Sequence, residues 1–360
     1  MLGKAQDKDG KKTTVVDLNP KVTSTNELYG VVLLATREWK DGLLSKTLRS
    51  LGQIPDSNPK WLILDGDLDA NWIESMNSVM DDNKLLTLAS NERIPLKAHM
   101  KMLFEIRDLK YATPATVSRA GILFISDSNG SQWKSYVTSW INKMKYDDER
   151  KKQLRELFDK YIAKTLFYCK KTFKHVIPQV DICMVVGICK LLENILATND
   201  VKGPEFIFAF ACIWCIGGGY QTKDGVPYKE QFSNWWKNEW KTIKFPSKGT
   251  VFDYYVDIEN SKLDDWSKIS NNDIVSTIDT SKSISSYTIP TVETISASFL
   301  MQQFININHC PILVGMPGTG KTQIIKGLLT DLCAKNPVYL QQIINFNFYT
   351  DANLLQMIME

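Results

Sequence analysis

No apolar run in this 360-residue chain is long enough to cross a membrane. The longest, Phe206 to Ile216, stops at Gly217-Gly218-Gly219, and a spanning helix needs about 20 residues. The opening segment does not read as a secretory leader either. Met1 to Thr14 carries Lys4, Asp7, Lys8, Asp9, Lys11 and Lys12 where an apolar segment would stand. Excess charge of one sign is also missing, with 43 Lys and Arg against 40 Asp and Glu. That balance gives no electrostatic case for nucleic acid. The seven Cys make an odd number and sit mostly in apolar surroundings, as at Cys183, Cys189 and Cys310. This reads as reduced thiols in a reducing compartment. Cys212 and Cys215 form a lone CxxC. Without a second pair or nearby His, it predicts buried core thiols rather than a metal site. Asn129-Gly130-Ser131 matches a glycosylation acceptor and, without secretion, reads as a turn.

What is present is ordinary globular material. Hydrophobic residues make 44% and charged residues 23%, which excludes a disordered chain, a collagen and a disulfide miniprotein. Ten Trp, thirteen Tyr and fifteen Phe can fill sizeable cores. The length accommodates two to three domains at about 100–200 residues each. In the first third, strands alternate with helices: Val15–Asp17, an apolar segment at Gly30–Ala35, Trp61–Leu64 ending on Asp65, a helix over Trp72–Met80, a hairpin turning at Ser90-Asn91, and Met102–Ile106. Thr113-Pro114 then starts a short helix, with Thr as cap and Pro at the first position, before a strand at Gly121–Ile125. This alternation predicts a parallel α/β sheet.

After Ser126–Gly130 the apolar period becomes helical up to about Leu196. The basic run at 143–174 predicts a solvated helix face. Phe232, Trp235, Trp236 and Trp240 are helically spaced and predict packing rather than a ligand cage. A polar, Ser/Thr/Asn/Asp-rich stretch at 267–288 reads as linker. No coiled-coil heptads and no low-complexity tract occur.

The sharpest chemical signal is Gly315-Met316-Pro317-Gly318-Thr319-Gly320-Lys321-Thr322, which fits GxxxxGK[ST]. An apolar segment, Cys310–Val314, precedes it as a predicted strand. An amphipathic helix, Gln323–Cys333, follows, with Ile324, Ile325, Leu328, Leu329 and Leu332 expected on its buried side. Such a loop wraps phosphates with backbone N–H groups. Lys321 is placed for the β/γ-phosphates and Thr322 for Mg²⁺. After Thr322 the chain continues only to Glu360, which leaves room for one strand, Val338–Ile344. It leaves none for that site's own acidic strand end or water-orienting Glu. Upstream, Leu62-Ile63-Leu64-Asp65 has the pattern of a Mg²⁺-binding Asp at a strand end, with Gly66 where a hydrolytic site carries Glu. Asp65 to Asp69 is no calcium loop, because Ala70 and Met76 stand where Gly and Glu are needed. Arg119 ends its short helix and suits either a trans-acting arginine finger or a helix C-terminal cap.

Three readings follow from the residues: a pair of neighbouring ring-ATPase modules, a self-contained P-loop kinase or GTPase, and a non-catalytic helical scaffold over 130–260.

Together these segments resemble the dynein heavy chain motor ring. WLILDGDLDANWIESMNSVMDDNKLLTLASNERIPL (61–96) resembles the Walker B strand, helix and hairpin of its second AAA+ module. MLFEIRDLKYATPATVSRAGILFIS (102–126) resembles the following strand and arginine-finger helix. LNPKVTSTNELYG (18–30) and TREWKDGLLSKTLR (36–49) fit the same module. FSNWWKNEWKTIKFPSKGTVFDYYVD (232–257) is similar to the segment leading into the third module, and PILVGMPGTGKTQ (311–323) to that module's Walker A, followed by FNFYT (346–350). FNFYT and residues 126–141 lean toward axonemal, outer-arm-like chains.

The resemblance implies P-loop AAA+ modules, each a parallel sheet with flanking helices, plus a helical lid. It divides the chain into 1–126, the second module's large subdomain without its Walker A; 127–245, the lid; 246–288, a linker; and 289–360, the start of the third module. It implies ATP or ADP with Mg²⁺, contacted by Gly315, Pro317, Gly318, Thr319, Gly320, Lys321, Thr322 and Asp65. Arg119 would act on the preceding module's nucleotide, and Asp108 falls near a polar sensor position. Gly66 matches a family module that holds nucleotide rather than hydrolysing it. The implied partners are the rest of the heavy chain, intermediate and light chains, and microtubules reached through other regions, with neither nucleic acid nor membrane. The implied location is the cytoskeleton of the cytoplasm and the ciliary or flagellar axoneme. The chain reads as a fragment truncated at both ends and is expected not to hydrolyse ATP by itself.

Overall fold

After a short helix, Leu2–Lys8 (α1), the strand Thr14–Leu18 (β1) pairs in parallel with Lys60–Asp65 (β4). Between them come the helix Thr25–Tyr29 (α2), the small antiparallel pair Gly30–Val32 (β2) and Trp39–Asp41 (β3), and the helix Leu43–Gln53 (α3). This is a computed structural model, and it describes residues 2–126, 129–197, 203–257, 262–270, 289 and 291–360. The chain divides into two units, Met1–Ile125 and Ser126–Glu360.

In the first unit, β4 is central. Leu62 and Leu64 are buried and alternate with half-buried Trp61 and Ile63, the period of a sheet covered mainly on one face. Lys60, at the start of β4, is also buried. Its ammonium is satisfied by the Asp56 carboxylate at 2.8 Å and by the carbonyls of Asp56 and Asn58, as a buried charge requires. Met100–Glu105 (β7) lies on the other side of β4, also parallel, giving the order β1-β4-β7. The expected parallel sheet is therefore present.

The helix expected over Trp72–Met80 is three short pieces: Ala70–Ile73 (α4), a 3₁₀ turn at Glu74–Met76, and Asn77–Met80 (α5). Trp72, Ile73, Met76 and Val79 are all buried, so the predicted apolar face is kept across the break. The expected hairpin is found as Leu85–Thr87 (β5) with Arg93–Pro95 (β6). Its turn holds Asn91 at φ 64°, a conformation Asn tolerates. The expected helix start at Thr113 is found as well. Its hydroxyl caps Pro114–Arg119 (α6) by accepting from the Thr116 N–H at 3.3 Å.

One expectation fails in this unit. Gly121–Ile125 is not a strand, and Leu123 and Phe124 are 88% and 86% exposed. A strand exists only through a neighbour, and no described residue pairs with this segment.

The second unit is built on helices: Ser131–Lys143 (α7), Asp148–Thr172 (α8), Asp181–Ala197 (α9) and Pro204–Cys212 (α10). Asp147 caps α8 by accepting from the Arg150 N–H at 3.0 Å. Along α8, Leu154, Phe158, Tyr161, Ile162 and Leu166 are buried, at the spacing of one helical stripe. Much of the basic run lies outside that stripe, as expected. Lys160 pairs with Glu205 at 2.6 Å and Lys164 with Glu239.

A π-helical turn, Ile213–Gly217, follows α10. Gly217 is required there, since a Cβ would lie 2.4 Å from the Phe232 ring. After the hairpin Thr222–Lys223 (β8) and Val226–Pro227 (β9), Tyr228–Glu239 (α11) brings Phe232 and Trp236 into the core. The aromatic block is therefore packing, as its spacing predicts.

The helical core runs past the expected linker boundary at 246. Tyr254–Asp257 (β10) pairs with Lys262–Asp265 (β11), and Trp266, opening Trp266–Ser270 (α12), is fully buried against Phe210 and Phe299. A large aromatic at 266 ties the first half of that stretch to the core. The remainder, 271–288, lies outside the described residues.

Val292–Asn306 (α13) also joins this core, and the Asn194 amide donates to Gln303 at 2.6 Å. Beyond it come Lys321–Lys335 (α14) and Ala352–Met359 (α15). Here the expectations meet their second failure. Neither Cys310–Val314 nor Val338–Ile344 is a strand, and α14 buries none of its apolar residues. Ile312 and Leu340 are 84% and 94% exposed. Among the described residues no strand pairs with either segment, so α14 has no sheet face to cover.

The thiols give a direct check on the helical core. Burial pushes Cys169 up to about 12 and raises Cys189 and Cys212 strongly, whereas Cys183 and Cys310 are exposed. The thiolate is the reactive form. In the folded chain at pH 8, a thiol-specific reagent is therefore expected to label Cys183 and Cys310 promptly. Cys169, Cys189 and Cys212 should follow only on unfolding, as read by peptide mass mapping. Among the described residues, no group of three or more His, Cys, Asp or Glu could hold a metal.

Candidate functional site

The loop Gly315–Gly320 turns directly into α14. Gly318 and Gly320 have φ of 82° and 80°, a region open to glycine at no cost. A Cβ at either would meet nothing within 4 Å, so glycine is required by backbone conformation and not by space. Gly320 is the N-cap of α14, which leaves the first helix N–H groups without intrahelical acceptors. The Lys321 ammonium folds over the loop and donates to the carbonyls of Gly315 and Met316 at 2.8 and 2.7 Å. It also reaches the Thr319 hydroxyl at 3.3 Å, which itself donates to the Met316 carbonyl at 2.9 Å. Thr322 is exposed in the first turn. N–H groups, a helix N-terminus and one flexible cation in this arrangement suit a phosphate chain. For Mg²⁺ the motif offers the hydroxyls of Thr319 and Thr322, and the ion needs near-octahedral oxygen ligation.

In the first unit, Asp65 ends β4 with its side chain exposed, in register with Glu105 of β7. Gly66 follows and its N–H donates to the Glu105 carbonyl at 3.3 Å. A Cβ at 66 would lie 2.8 Å from Asn19 Oδ1, an atom already accepting from the Lys21 N–H. A side chain at 66 would therefore require the exposed Asn19 amide to move. Asp108 is held by its own loop: it accepts from Arg107 Nε and from the Lys110 N–H, both at 3.1 Å, and its carboxyl lies below the usual range.

Arg119 closes α6. Its Nε donates to Asp81, the residue that ends α5, and Nη1 donates to the Ala115 carbonyl at 3.1 Å. Asp81 is the residue that the sequence reading missed. The two are 38 positions apart, and no local pattern links them.

Two family models match this chain. Residues 154–268 match the dynein heavy chain AAA lid domain, and residues 276–360 match the P-loop containing dynein motor region. The fold and the loop thus define AAA+ motor machinery. Whole-chain relatives narrow this further. The chain is 46% identical to the dynein alpha chain of the flagellar outer arm of Chlamydomonas reinhardtii, with 97% of this chain aligned. It is 44% identical to human dynein axonemal heavy chain 9 over 96% of its length, and 43% identical to the ciliary dynein beta chain of Tripneustes gratilla over its whole length. It belongs to the axonemal dynein heavy chain family, and it spans about 8% of the length of each of these relatives. Among the described residues, no helix is long and apolar enough to cross a membrane.

Proposed function

We propose that this chain forms part of an ATP-driven axonemal dynein motor ring, joining the second AAA+ module, its lid and the nucleotide loop of the third. The observation that carries this reading is the GxxxxGKT loop, with its two left-handed glycines and Lys321, opening α14 inside the stretch that matches the P-loop dynein motor region, downstream of the lid match. Residues Gly315 to Thr322 hold the phosphates of ATP or ADP, Lys321 the β/γ end, and the Thr322 hydroxyl serves the accompanying Mg²⁺. Asp65 serves the ion at the second module. Gly66 supplies no carboxylate where a hydrolytic site carries Glu, which suits that module to holding nucleotide, so both sites regulate a hydrolytic centre elsewhere in the ring. Arg119 reaches the preceding module's nucleotide in trans. The exposed apolar segments 121–125, 310–314 and 338–344 suit sheets completed by other parts of the heavy chain. The motor then works on microtubules in cilia or flagella, with intermediate and light chains as further partners.

The test is Lys321→Ala in a complete heavy chain. Losing one charge-assisted contact is expected to weaken nucleotide binding at the third module by about 1–3 kcal/mol, about 5- to 150-fold. Binding is read with a fluorescent ATP analogue. Unchanged affinity there would sink the assignment.

A further inference from the structure

The Arg119 guanidinium is held along one edge. Nε donates to the Asp81 carboxylate and one Nη1 proton goes to the Ala115 carbonyl at 3.1 Å. Nη2 makes no hydrogen bond among the described residues. A guanidinium has five donors in a rigid plane, so anchoring this edge sets the direction of those that remain. A second contact keeps the two helices together: the Thr116 hydroxyl, buried in α6, donates to the Asn77 side chain of α5 at 3.4 Å. Asn77 and Asp81 bracket a single turn, since the Asp81 N–H bonds the Asn77 carbonyl at 3.0 Å. The Asn77 contact thus places the α6 backbone, and the Asp81 contact selects the arginine rotamer. The Arg119 and Asp81 side chains are 32% and 40% exposed. A pair so open to solvent adds little to stability, whereas a long side chain fixed in one rotamer gains much in aim.

We propose that Asp81 is the positioning residue for Arg119, holding its guanidinium with the outer donors presented to the nucleotide of the neighbouring module. This rests on the reading of Arg119 as a trans-acting finger. Misplacing a catalytic group by about an ångström costs on the order of 100-fold in rate. Asp81→Ala in the complete heavy chain is therefore expected to lower kcat for ATP by about that factor with KM little changed. Asp81→Asn, which keeps an oxygen to accept from Nε, should lose less.

The deciding measurement is the double variant. If Asp81 acts through Arg119, Asp81→Ala in an Arg119→Ala background lowers kcat no further. An equal loss in both backgrounds, or a fall in melting temperature that accounts for the lost turnover, would mean a merely structural aspartate and overturn the proposal. Unchanged or faster turnover in Asp81→Ala, with Arg119→Ala slow, would overturn it while leaving the finger intact. If Arg119→Ala itself leaves turnover unchanged, the finger reading and the proposal fall together.

Discussion

Replacing Arg119 with alanine in a complete heavy chain is expected to slow ATP turnover by about 10³- to 10⁵-fold, the range known for arginine fingers. That corresponds to about 4–7 kcal/mol of lost transition-state stabilisation. The large effect follows from where the charge acts. A finger meets negative charge that develops on the transferring phosphoryl group, in a site from which water is excluded. In its own unit Arg119 does far less. Its contacts are the solvent-exposed Asp81 carboxylate and one carbonyl of its own helix, and pairs of this kind contribute about 0–1 kcal/mol to stability. The variant should therefore fold and melt like the parent. The check is steady-state phosphate release beside a thermal melt. A turnover change below about threefold would return Arg119 to the simpler role of a charge at a helix C-terminus.

Trp236→Ala should be the most damaging single change to the fold. The indole is fully buried in α11. It lies parallel to the Tyr161 ring at 6.0 Å, with Phe232 at 5.8 Å and Trp240 at 6.2 Å. Removing it takes away the ring at the meeting point of α8 and α11 and leaves a cavity that close-packed neighbours refill only in part. The expected cost is about 3–5 kcal/mol, on the order of 10 °C in the melting temperature of a unit this size. Trp236→Phe should recover most of it, because Nε1 has no hydrogen-bond partner among the described residues and the smaller ring orphans nothing. Denaturant titration of the three proteins side by side gives the comparison. Equal stability of the alanine variant and the parent would show that α11 does not depend on this contact.

The sequence by itself was enough for whatever depends on near neighbours. The hairpin around Asn91, the Thr113-Pro114 helix start, the stripe along α8 and the glycines of the phosphate loop all rest on contacts, periodicity or dihedrals within a few residues. Periodicity and side-chain chemistry reveal these directly. Tertiary structure decided the rest. Trp266 falls within the linker that the family division expects at 246–288, yet it is buried because Phe210 and Phe299, distant in sequence, enclose it. The Trp72–Met80 segment keeps its predicted apolar face but is broken by a 3₁₀ turn at Glu74–Met76. Gly121–Ile125 and Cys310–Val314 have the apolar character of strands and are not strands. A β-strand is a property of a pair, and its hydrogen bonds belong half to another segment. For the same reason Arg119 alone left two roles open, a finger and a helix cap. Only the approach of α5 to α6 brought Asp81 to its guanidinium, and that approach is set by packing, which no local pattern encodes.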